Sequence, residues 1–120
     1  LTKRETQSKL KAAGLPWERS KAFTGSALFS EFVQAPENLS QLGLELRVND
    51  ALRQKGDVSL MLYPLAVILE ELRQFLTLED GDIIMTGTPA GVGPVQSGEC
   101  FDGRVLAGEQ VLAQAVWQAH

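Results

Sequence analysis

The sequence has few of the residues that most often carry recognisable chemistry. Cys100 is the single cysteine, so the chain has no internal disulfide framework, and we interpret it as a buried or half-buried thiol rather than a nucleophile. The single histidine is His120, the last residue, where terminal disorder is the expectation. No apolar run reaches the roughly 20 residues that a membrane helix requires, and no signal peptide is recognisable. These absences predict a cytoplasmic protein without a membrane contact.

Clusters of basic residues are also absent. The formal net charge is −4 and no block of lysine and arginine stands out, so nucleic acid is not an expected partner. A small anionic substrate stays open as a ligand, because local charges rather than the net charge bind it. The length of 120 residues and the hydrophobic content of 44% predict one globular domain with a modest core.

The glycine-rich stretch 86–98 lacks the marks of a nucleotide-binding loop. It contains no Gly-Lys-Ser/Thr sequence, and no helix with apolar periodicity follows Gly93. Glycine allows a backbone to approach a ligand closely and to adopt conformations closed to other residues. Thr86 and Thr88 add hydroxyl groups that can hydrogen-bond an oxyanion or a carboxylate. The stretch is therefore predicted to be a loop, and its glycine content by itself does not identify a ligand.

The N-terminal segment 2–13 is predicted to form a short helix. Thr2 and Glu5 have the spacing of a capping box, with Thr2 as the N-cap residue. Residues three apart on a helix are neighbours, so Arg4 and Gln7 are expected on one face. From the spacing alone, solvated surface is the default interpretation of that face.

β-Strands are predicted for much of the remaining chain. Residues 42–48 place apolar side chains at every second position, as in a half-buried strand. Asn49–Asp50 can supply a turn, and residues 51–55 would return as a hairpin partner. Further strands are predicted at 27–33, at 82–86 and, as a pair within 99–118, around either Asp102–Gly103 or Ala107–Gly108.

A longer helix is predicted within residues 59–75, where Pro64 begins or kinks it. Its apolar positions recur every three or four residues and are expected in the core. They are Ile68, Leu69, Leu72 and Phe75. Together these patterns predict a mainly β fold with a few helices, of the α+β class.

Longer motifs resemble one enzyme family. Residues 78–94 resemble the signature L-x-x-G-D-x-I-x-T-G-T-P-x-G-V-G of the fumarylacetoacetate hydrolase family. Further matches are Thr2-x-Arg4-x-x-Gln7, Gly14-x-Pro16-Trp17, Lys21-x-Phe23, and Val48-Asn49 with Arg53-Gln54, which resembles a V-N-G-x-x-R-Q hairpin. Their order and spacing agree along almost the whole chain. The resemblance is closest to the small acylpyruvase and oxaloacetate decarboxylase-like members.

The resemblance implies a fold and an activity. The fold would be the family's mixed β-sheet roll, with residues 1–120 as the C-terminal portion of the catalytic domain, incomplete at the N-terminus. The activity would be metal-dependent cleavage of a carbon–carbon bond in an acylpyruvate or a fumarylacetoacetate-type acid, or decarboxylation or isomerisation of acids such as oxaloacetate. The expected cofactor is Mg²⁺ or Mn²⁺, the expected substrate a small oxo acid, and the expected assembly a homodimer.

The resemblance also implies site residues. Arg4, Gln7 and Lys21 match the family's catalytic substrate and oxyanion ligands, and Thr88 matches its substrate-binding threonine. Their chemistry suits these roles, because Arg4 and Lys21 are cations suited to carboxylate and enolate charge. These four residues are expected to converge on one cleft.

The family's metal ligands have no match in this chain. They are a Glu-x-Glu pair and an aspartate, which would lie before Leu1, as would the catalytic His–Glu pair. Because the chain does not begin with methionine, we expect a fragment that is inactive alone and holds no metal ligand. Smaller departures from the family pattern are Glu5, Asp50 and Glu99. The alternative is a non-catalytic module of the same fold that binds a partner chain or a small organic acid.

Overall fold

Four β-strands and two α-helices form the regular structure of the chain. The computed structural model describes all residues, 1–120, as two units, Leu1–Ser30 and Glu31–His120. The elements are α1 (Arg4–Ala12), β1 (Leu42–Val48), β2 (Ala51–Asp57), α2 (Leu65–Arg73), β3 (Cys100–Ala107) and β4 (Gln110–Gln118), with 3-10 turns at Glu18–Ser20, Leu39–Gln41 and Val58–Leu60. Neither α-helix is long and apolar enough to span a bilayer.

The first helix begins later than the capping-box spacing predicts. It starts at Arg4, and its N-cap residue is Lys3, which makes no side-chain capping bond. The prediction that Thr2 caps the helix is therefore wrong, because the helix starts one residue later than a Thr2 cap requires. Glu5 instead forms an ion pair with Lys9, one turn later, at 2.6 Å. Such exposed pairs add only a few tenths of a kcal/mol to a helix, roughly 0.3–0.5.

The four strands form one sheet in the order β2-β1-β3-β4. All three pairings are antiparallel, whereas the resemblance implied a mixed sheet. The mainly β class with a few helices is confirmed. Strand β1 covers residues 42–48 as predicted, and Asn49 and Asp50 form the turn with φ of 49° and 66°. Positive φ at both central residues is what a type I′ hairpin turn requires, and Asn and Asp tolerate that conformation.

The two faces of the sheet differ in polarity. Directly paired residues share a face, and Leu44 opposite Val105 and Val48 opposite Phe101 make one face apolar. Val48 is the one apolar residue of the chain that is buried, at 7% exposure. The core therefore lies on this face, next to the hairpin turn.

The opposite face carries a network of charged side chains. Glu45 lies across from Lys55 and from Arg104, and Lys55 Nζ donates to Glu45 Oε1 at 2.8 Å. Arg104 donates to Asp102 Oδ2 at 2.6 Å, and Gln114 Nε2 donates to Asp102 Oδ1 at 2.8 Å. The bond from Lys55 holds the pKa of Glu45 below its usual value. The bond from Arg104 does the same for the pKa of Asp102.

Two predicted strands are not strands in this structure. Residues 27–33 and 82–86 are irregular, although both are rich in apolar residues. A strand exists only where a neighbouring strand completes its backbone hydrogen bonds, and neither segment has one in this sheet. Of the two turns considered for the C-terminal strands, the one at Ala107–Gly108 is confirmed, because β3 ends at Ala107 and Gly108 has φ 61°.

The second helix is shorter than the predicted range of 59–75. Pro64 is its N-cap residue, and the helix runs from Leu65 to Arg73. The prediction that its apolar stripe lies in the core is only partly correct. Ile68, Leu69 and Leu72 are half-buried, and Phe75, which follows the last turn, is 72% exposed.

Candidate functional site

Two of the predicted site residues contact each other on α1. Arg4 Nη1 donates a hydrogen bond to Gln7 Oε1 at 2.9 Å. Because the carboxamide oxygen of Gln7 accepts from Arg4, its Nε2 is left to donate. Arg4 is exposed, and Gln7 is half-buried. The pair thus presents N–H donors and a positive charge, which suit an oxyanion or a carboxylate.

Lys21 is tied to the start of α1 through the backbone. It follows the 3-10 turn Glu18–Ser20, and its own N–H donates to Glu18 O at 2.8 Å. The N–H of Lys3 donates to the carbonyl of Ser20 at 3.0 Å, and Ser20 is fully buried. Arg4 and Lys21 each follow one member of this bonded pair. The structure therefore brings their backbones together, although α1 and the loop after it separate them in sequence.

Two aromatic residues of the matched motifs pack under lysine side chains in the same unit. Lys3 Nζ lies 4.5 Å from the ring centroid of Phe23, and Lys11 Nζ lies 5.7 Å from that of Trp17. Cation–π contacts of this kind contribute about 0.5–1 kcal/mol at exposed sites. Phe23 and Trp17 therefore hold the loop after α1 against the helix.

Thr88 lines a cavity within the second unit. The cavity has a volume of about 530 Å³, and its walls come from β1, β2, β3, residues 58–65, α2 and the loop 86–89. Most of the wall is apolar. The polar side chains in it are Asp57, Tyr63, Thr86 and Thr88. A pocket with an apolar wall and a few hydroxyl groups is the usual form of a small-molecule site.

Asp57 places a carboxylate in the cavity wall. Its Oδ1 accepts from the backbone N–H of Ser59 at 2.8 Å and from the Ser59 hydroxyl. These two donors, the hydroxyl first, hold the pKa of Asp57 below its usual value. Asp57 therefore caps the 3-10 turn Val58–Leu60, and that turn forms part of the cavity wall.

The loop that carries Thr88 packs closely on β2. Gln54 Nε2 donates to the carbonyl of Pro89 at 3.0 Å and lies 3.5 Å from that of Ala90. A Cβ atom built on Gly91 would lie 1.9 Å from the carbonyl oxygen of Arg53, so only glycine fits there. Arg53 and Gln54 match a family hairpin, but no role was predicted for them. The signal that pointed to them was that match alone.

Asn49 connects the same hairpin to β3. Its Oδ1 accepts from the backbone N–H of Cys100 at 2.9 Å, and its own N–H donates to the Cys100 carbonyl at 2.9 Å. The asparagine of the matched hairpin therefore has a structural role, which is to join the turn to the next strand. Cys100 is half-buried, as predicted.

The predicted site residues fall in both units. Arg4, Gln7 and Lys21 belong to the first unit, where the helix and the turn bring them together, and Thr88 belongs to the second. The prediction that all four share a cleft stays a prediction.

The side chains of this chain that could bind a metal ion are dispersed. No group of three or more His, Cys, Asp or Glu side chains is clustered in the structure. A hard cation such as Mg²⁺ requires several oxygen ligands held together. The residues of this chain therefore do not fit the metal that the resemblance implies.

Comparison with known proteins agrees with the motifs. Residues 1–115 match the family described as fumarylacetoacetate (FAA) hydrolase C-terminal. The chain is 42% identical over 113 residues to the oxaloacetate tautomerase YcgM of Escherichia coli K12, covering 88% of this chain and 52% of that protein. It is 43% identical over 101 residues to the mitochondrial oxaloacetate tautomerase FAHD1 of Homo sapiens, covering 82% of this chain and 46% of that protein.

A solved structure shares the fold. The yeast protein ynq8, described as a fumarylacetoacetate hydrolase family protein, superposes with a TM-score of 0.91 at 35% identity, covering 99% of this chain and 52% of that one. The chain thus spans about half the length of the relatives that it matches. The family match over residues 1–115, together with this fold, shows that the chain belongs to the fumarylacetoacetate hydrolase family, in the part that its description calls C-terminal.

Proposed function

We propose that the protein is an enzyme that acts on small 2-oxo acids through an enol or enolate, with oxaloacetate tautomerisation as the first activity to test. The observation that carries the proposal is the position of Thr86 and Thr88. Both residues line one mainly apolar cavity, on a loop held against β2, and each carries a hydroxyl group. The two oxaloacetate tautomerases to which the chain is similar support the choice of substrate.

The chemistry explains why one site can serve several reactions of the family. Tautomerisation moves a proton from C3 of the oxo acid to the 2-oxo oxygen, and it consumes no second substrate. Decarboxylation and hydrolytic cleavage of an acylpyruvate both release the enolate of pyruvate, which then takes a proton on carbon. All three pass through negative charge on the same oxygen, and stabilisation of such charge is often the largest catalytic contribution. We therefore retain acylpyruvate or fumarylacetoacetate-type cleavage and decarboxylation as neighbouring activities.

Within this proposal, Arg4, Gln7 and Lys21 bind the enolate or the adjacent carboxylate, and Thr88 hydrogen-bonds a carboxylate. A guanidinium binds a carboxylate through two parallel N–H groups, whereas the ammonium of a lysine acts as a compact point charge. Arg4 is therefore assigned to orienting the substrate, and Lys21 to the oxygen where charge develops. Both roles follow from side-chain chemistry and from the matched motifs.

The proposed cofactor is Mg²⁺ or Mn²⁺, bound by ligands outside this chain. When bound, such an ion would act as a Lewis acid on the oxo acid.

We accordingly propose that the 120-residue chain alone is inactive. Calorimetry of the purified chain should detect no tight magnesium site, and incubation with an acylpyruvate should give no turnover above buffer. Magnesium-dependent cleavage by this chain would contradict the proposal.

The alternative is a non-catalytic module that binds a partner chain, and one feature favours a partner of some kind. Leu62 is 93% exposed, Met85 76% and Phe75 72%, and they belong to a long set of accessible large apolar side chains that a partner could cover. We propose a homodimer as the assembly. Light scattering should give twice the monomer mass, and a stable monomer would contradict it.

A cytoplasmic location is also part of the proposal. Fractionation of the source cells into cytoplasmic and mitochondrial fractions tests it.

The activity itself is tested with the purified native protein that carries this chain. Ketonisation of enol-oxaloacetate is followed by loss of its ultraviolet absorbance, with and without Mg²⁺. Pyruvate release from oxaloacetate and from acylpyruvates is followed in parallel by a coupled dehydrogenase assay. Acceleration of at least one reaction, abolished by EDTA, is expected. No acceleration of any of the three would overturn the enzyme proposal and favour the binding module.

A further inference from the structure

We infer that Gln54 is a positioning residue that holds the loop of Thr88 in its ligand-binding conformation. The inference rests on the proposed function, because it concerns the same site. Gln54 lies on β2, 35 residues from the carbonyl to which it donates. It lines no part of the cavity, so its effect on a ligand would be exerted through Thr88.

The hydrogen bonds of Gln54 fit this role. A carboxamide nitrogen has two donors, and Nε2 of Gln54 faces two consecutive carbonyls, that of Pro89 at 3.0 Å and that of Ala90 at 3.5 Å. The loop that contains them is irregular and forms no backbone hydrogen bonds with β2, although it lies against that strand. A backbone carbonyl without a partner is costly when it is shielded from water. The side chain of Gln54 therefore supplies the donor that a neighbouring strand would otherwise provide.

The backbone of β2 is shaped to receive the loop. Leu46 of β1 pairs with Gln54 and Arg47 pairs with Leu52, which leaves Arg53 as the extra residue of a β-bulge. Bulges redirect the strand locally and are frequent beside active sites. Here the Arg53 carbonyl oxygen lies against Gly91, where an added Cβ atom would approach to 1.9 Å.

A second close contact lies on the other side of Gln54. A Cβ atom added to Gly56 would lie 2.9 Å from Cβ of Pro89. The loop is thus in close contact with β2 at Arg53–Gly91, at Gln54–Pro89 and at Gly56–Pro89. Three of the residues 53–56 of the strand contact one short stretch of loop, which is the arrangement expected of a fixed rather than a mobile segment.

Anchoring Pro89 also restricts Thr88. The residue before a proline is kept out of the α region by contact with the proline ring, so its backbone is confined to extended conformations. Once the Pro89 carbonyl is bonded to Gln54, the backbone of Thr88 has little freedom left. Its hydroxyl is then presented to the cavity at a defined position, which lowers the ordering cost of ligand binding.

The test uses Gln54→Glu in the native protein that carries this chain. The substitution keeps the size of the side chain but replaces the donor by a carboxylate that faces two carbonyls. The matched control is Gln118→Glu, because Gln118 Nε2 likewise donates to a loop carbonyl, that of Gly98, at 2.8 Å. The first measurement is hydrogen exchange of residues 86–93. We expect about tenfold faster exchange in Gln54→Glu and no change in Gln118→Glu, since one lost hydrogen bond corresponds to roughly a factor of ten.

The second measurement is a KM-against-kcat comparison with the oxo acid that the wild-type protein turns over. Gln54→Glu should raise KM about tenfold with a smaller effect on kcat, as expected for loss of binding rather than of transition-state stabilisation. It should add nothing to Thr88→Ala, because Gln54 acts on the ligand only through the contact that Thr88 makes with it. If Gln54→Glu does not fold, Gln54→Asn, which shortens the side chain without adding charge, carries the same expectations.

The outcomes separate this inference from the proposed function. Unchanged exchange in the loop, or an effect on KM that multiplies with that of Thr88→Ala, would overturn the role of Gln54. A wild-type protein without activity on any oxo acid would overturn the proposed function, and with it the kinetic part of the inference. In that case the exchange measurement alone would still decide whether Gln54 anchors the loop.

Discussion

Arg4 donates a hydrogen bond of 2.9 Å to the side-chain oxygen of Gln7, one turn later in the same helix. The bond orients the carboxamide so that its nitrogen faces away from the guanidinium. An anion that binds beside the pair would meet N–H groups from both residues. The contact therefore turns two exposed or half-exposed polar side chains into one donor surface.

Replacing Arg4 by lysine should lower kcat/KM for the oxo acid about tenfold or more. Lysine keeps the charge but cannot bond Gln7 and a carboxylate with a rigid, planar group. Steady-state kinetics of the native protein measure the effect. Lys9→Met in the same helix is the control, because it removes only an exposed ion pair with Glu5. Equal activity of Arg4→Lys and wild type would show that the charge alone matters.

Lys21→Ala should lower kcat more than it weakens magnesium binding. A cation at the oxygen where charge develops acts mainly in the transition state, and removing such a group costs about 10²-fold in kcat. Kinetics give kcat, and calorimetry of the same preparation gives the magnesium affinity. Arg19→Ala, in the 3-10 turn that precedes Lys21, is the control. Loss of magnesium binding in step with kcat would assign Lys21 to the metal site instead.

Gly91→Ala should destabilise the protein by about 1–3 kcal/mol, because it combines two costs. The residue has φ 99°, which L side chains rarely adopt, and its Cβ would meet the Arg53 carbonyl. Urea unfolding measures the change. Gly93→Ala in the same loop is the control, since a Cβ there meets no atom within 4 Å. Equal destabilisation by both substitutions would mean that the Arg53 contact has no role.

Acid should destabilise the fold through the charged face of the sheet. The pKa of Asp102 lies below its usual value of 3.8, chiefly because Arg104 donates to its carboxylate. As pH falls, the unfolded chain takes up this proton first, so the stabilisation is present above 3.8 and is lost as pH falls towards the folded pKa. The pKa of Glu45 is lowered in the same way, below 4.5 and chiefly by Lys55, so its contribution has the same sign.

Urea unfolding across the acid range tests this dependence. The free energy of unfolding of the wild type should decline as pH falls below these usual values. Asp102→Asn should make the decline shallower. Asp80→Asn, in an exposed turn, should leave it unchanged. An identical acid dependence in Asp102→Asn and wild type would exclude this carboxylate as a source.

Much of the candidate site was predictable only through resemblance. Spacing placed Arg4 and Gln7 on one helix face, and the structure confirms that they contact each other. Nothing in the local pattern linked Lys21 to that helix, because the link is a backbone bond between Lys3 and Ser20. Asp57 gave no signal as a cavity residue, since capping a short turn has no periodicity.

Local sequence by itself determined the hairpin and the starts and stops of several elements. Each of these predictions held because its cause acts within a few residues. The causes are the alternation over residues 42–48, the tolerance of Asn49–Asp50 for left-handed backbone, and the ring of Pro64. Tertiary structure alone decided the rest. Apolar composition made 27–33 and 82–86 strand-like, but a strand needs a neighbour to complete its hydrogen bonds, and the fold offers them none. The bond from Gln54 to Pro89 likewise exists only because folding brings together residues that lie 35 positions apart.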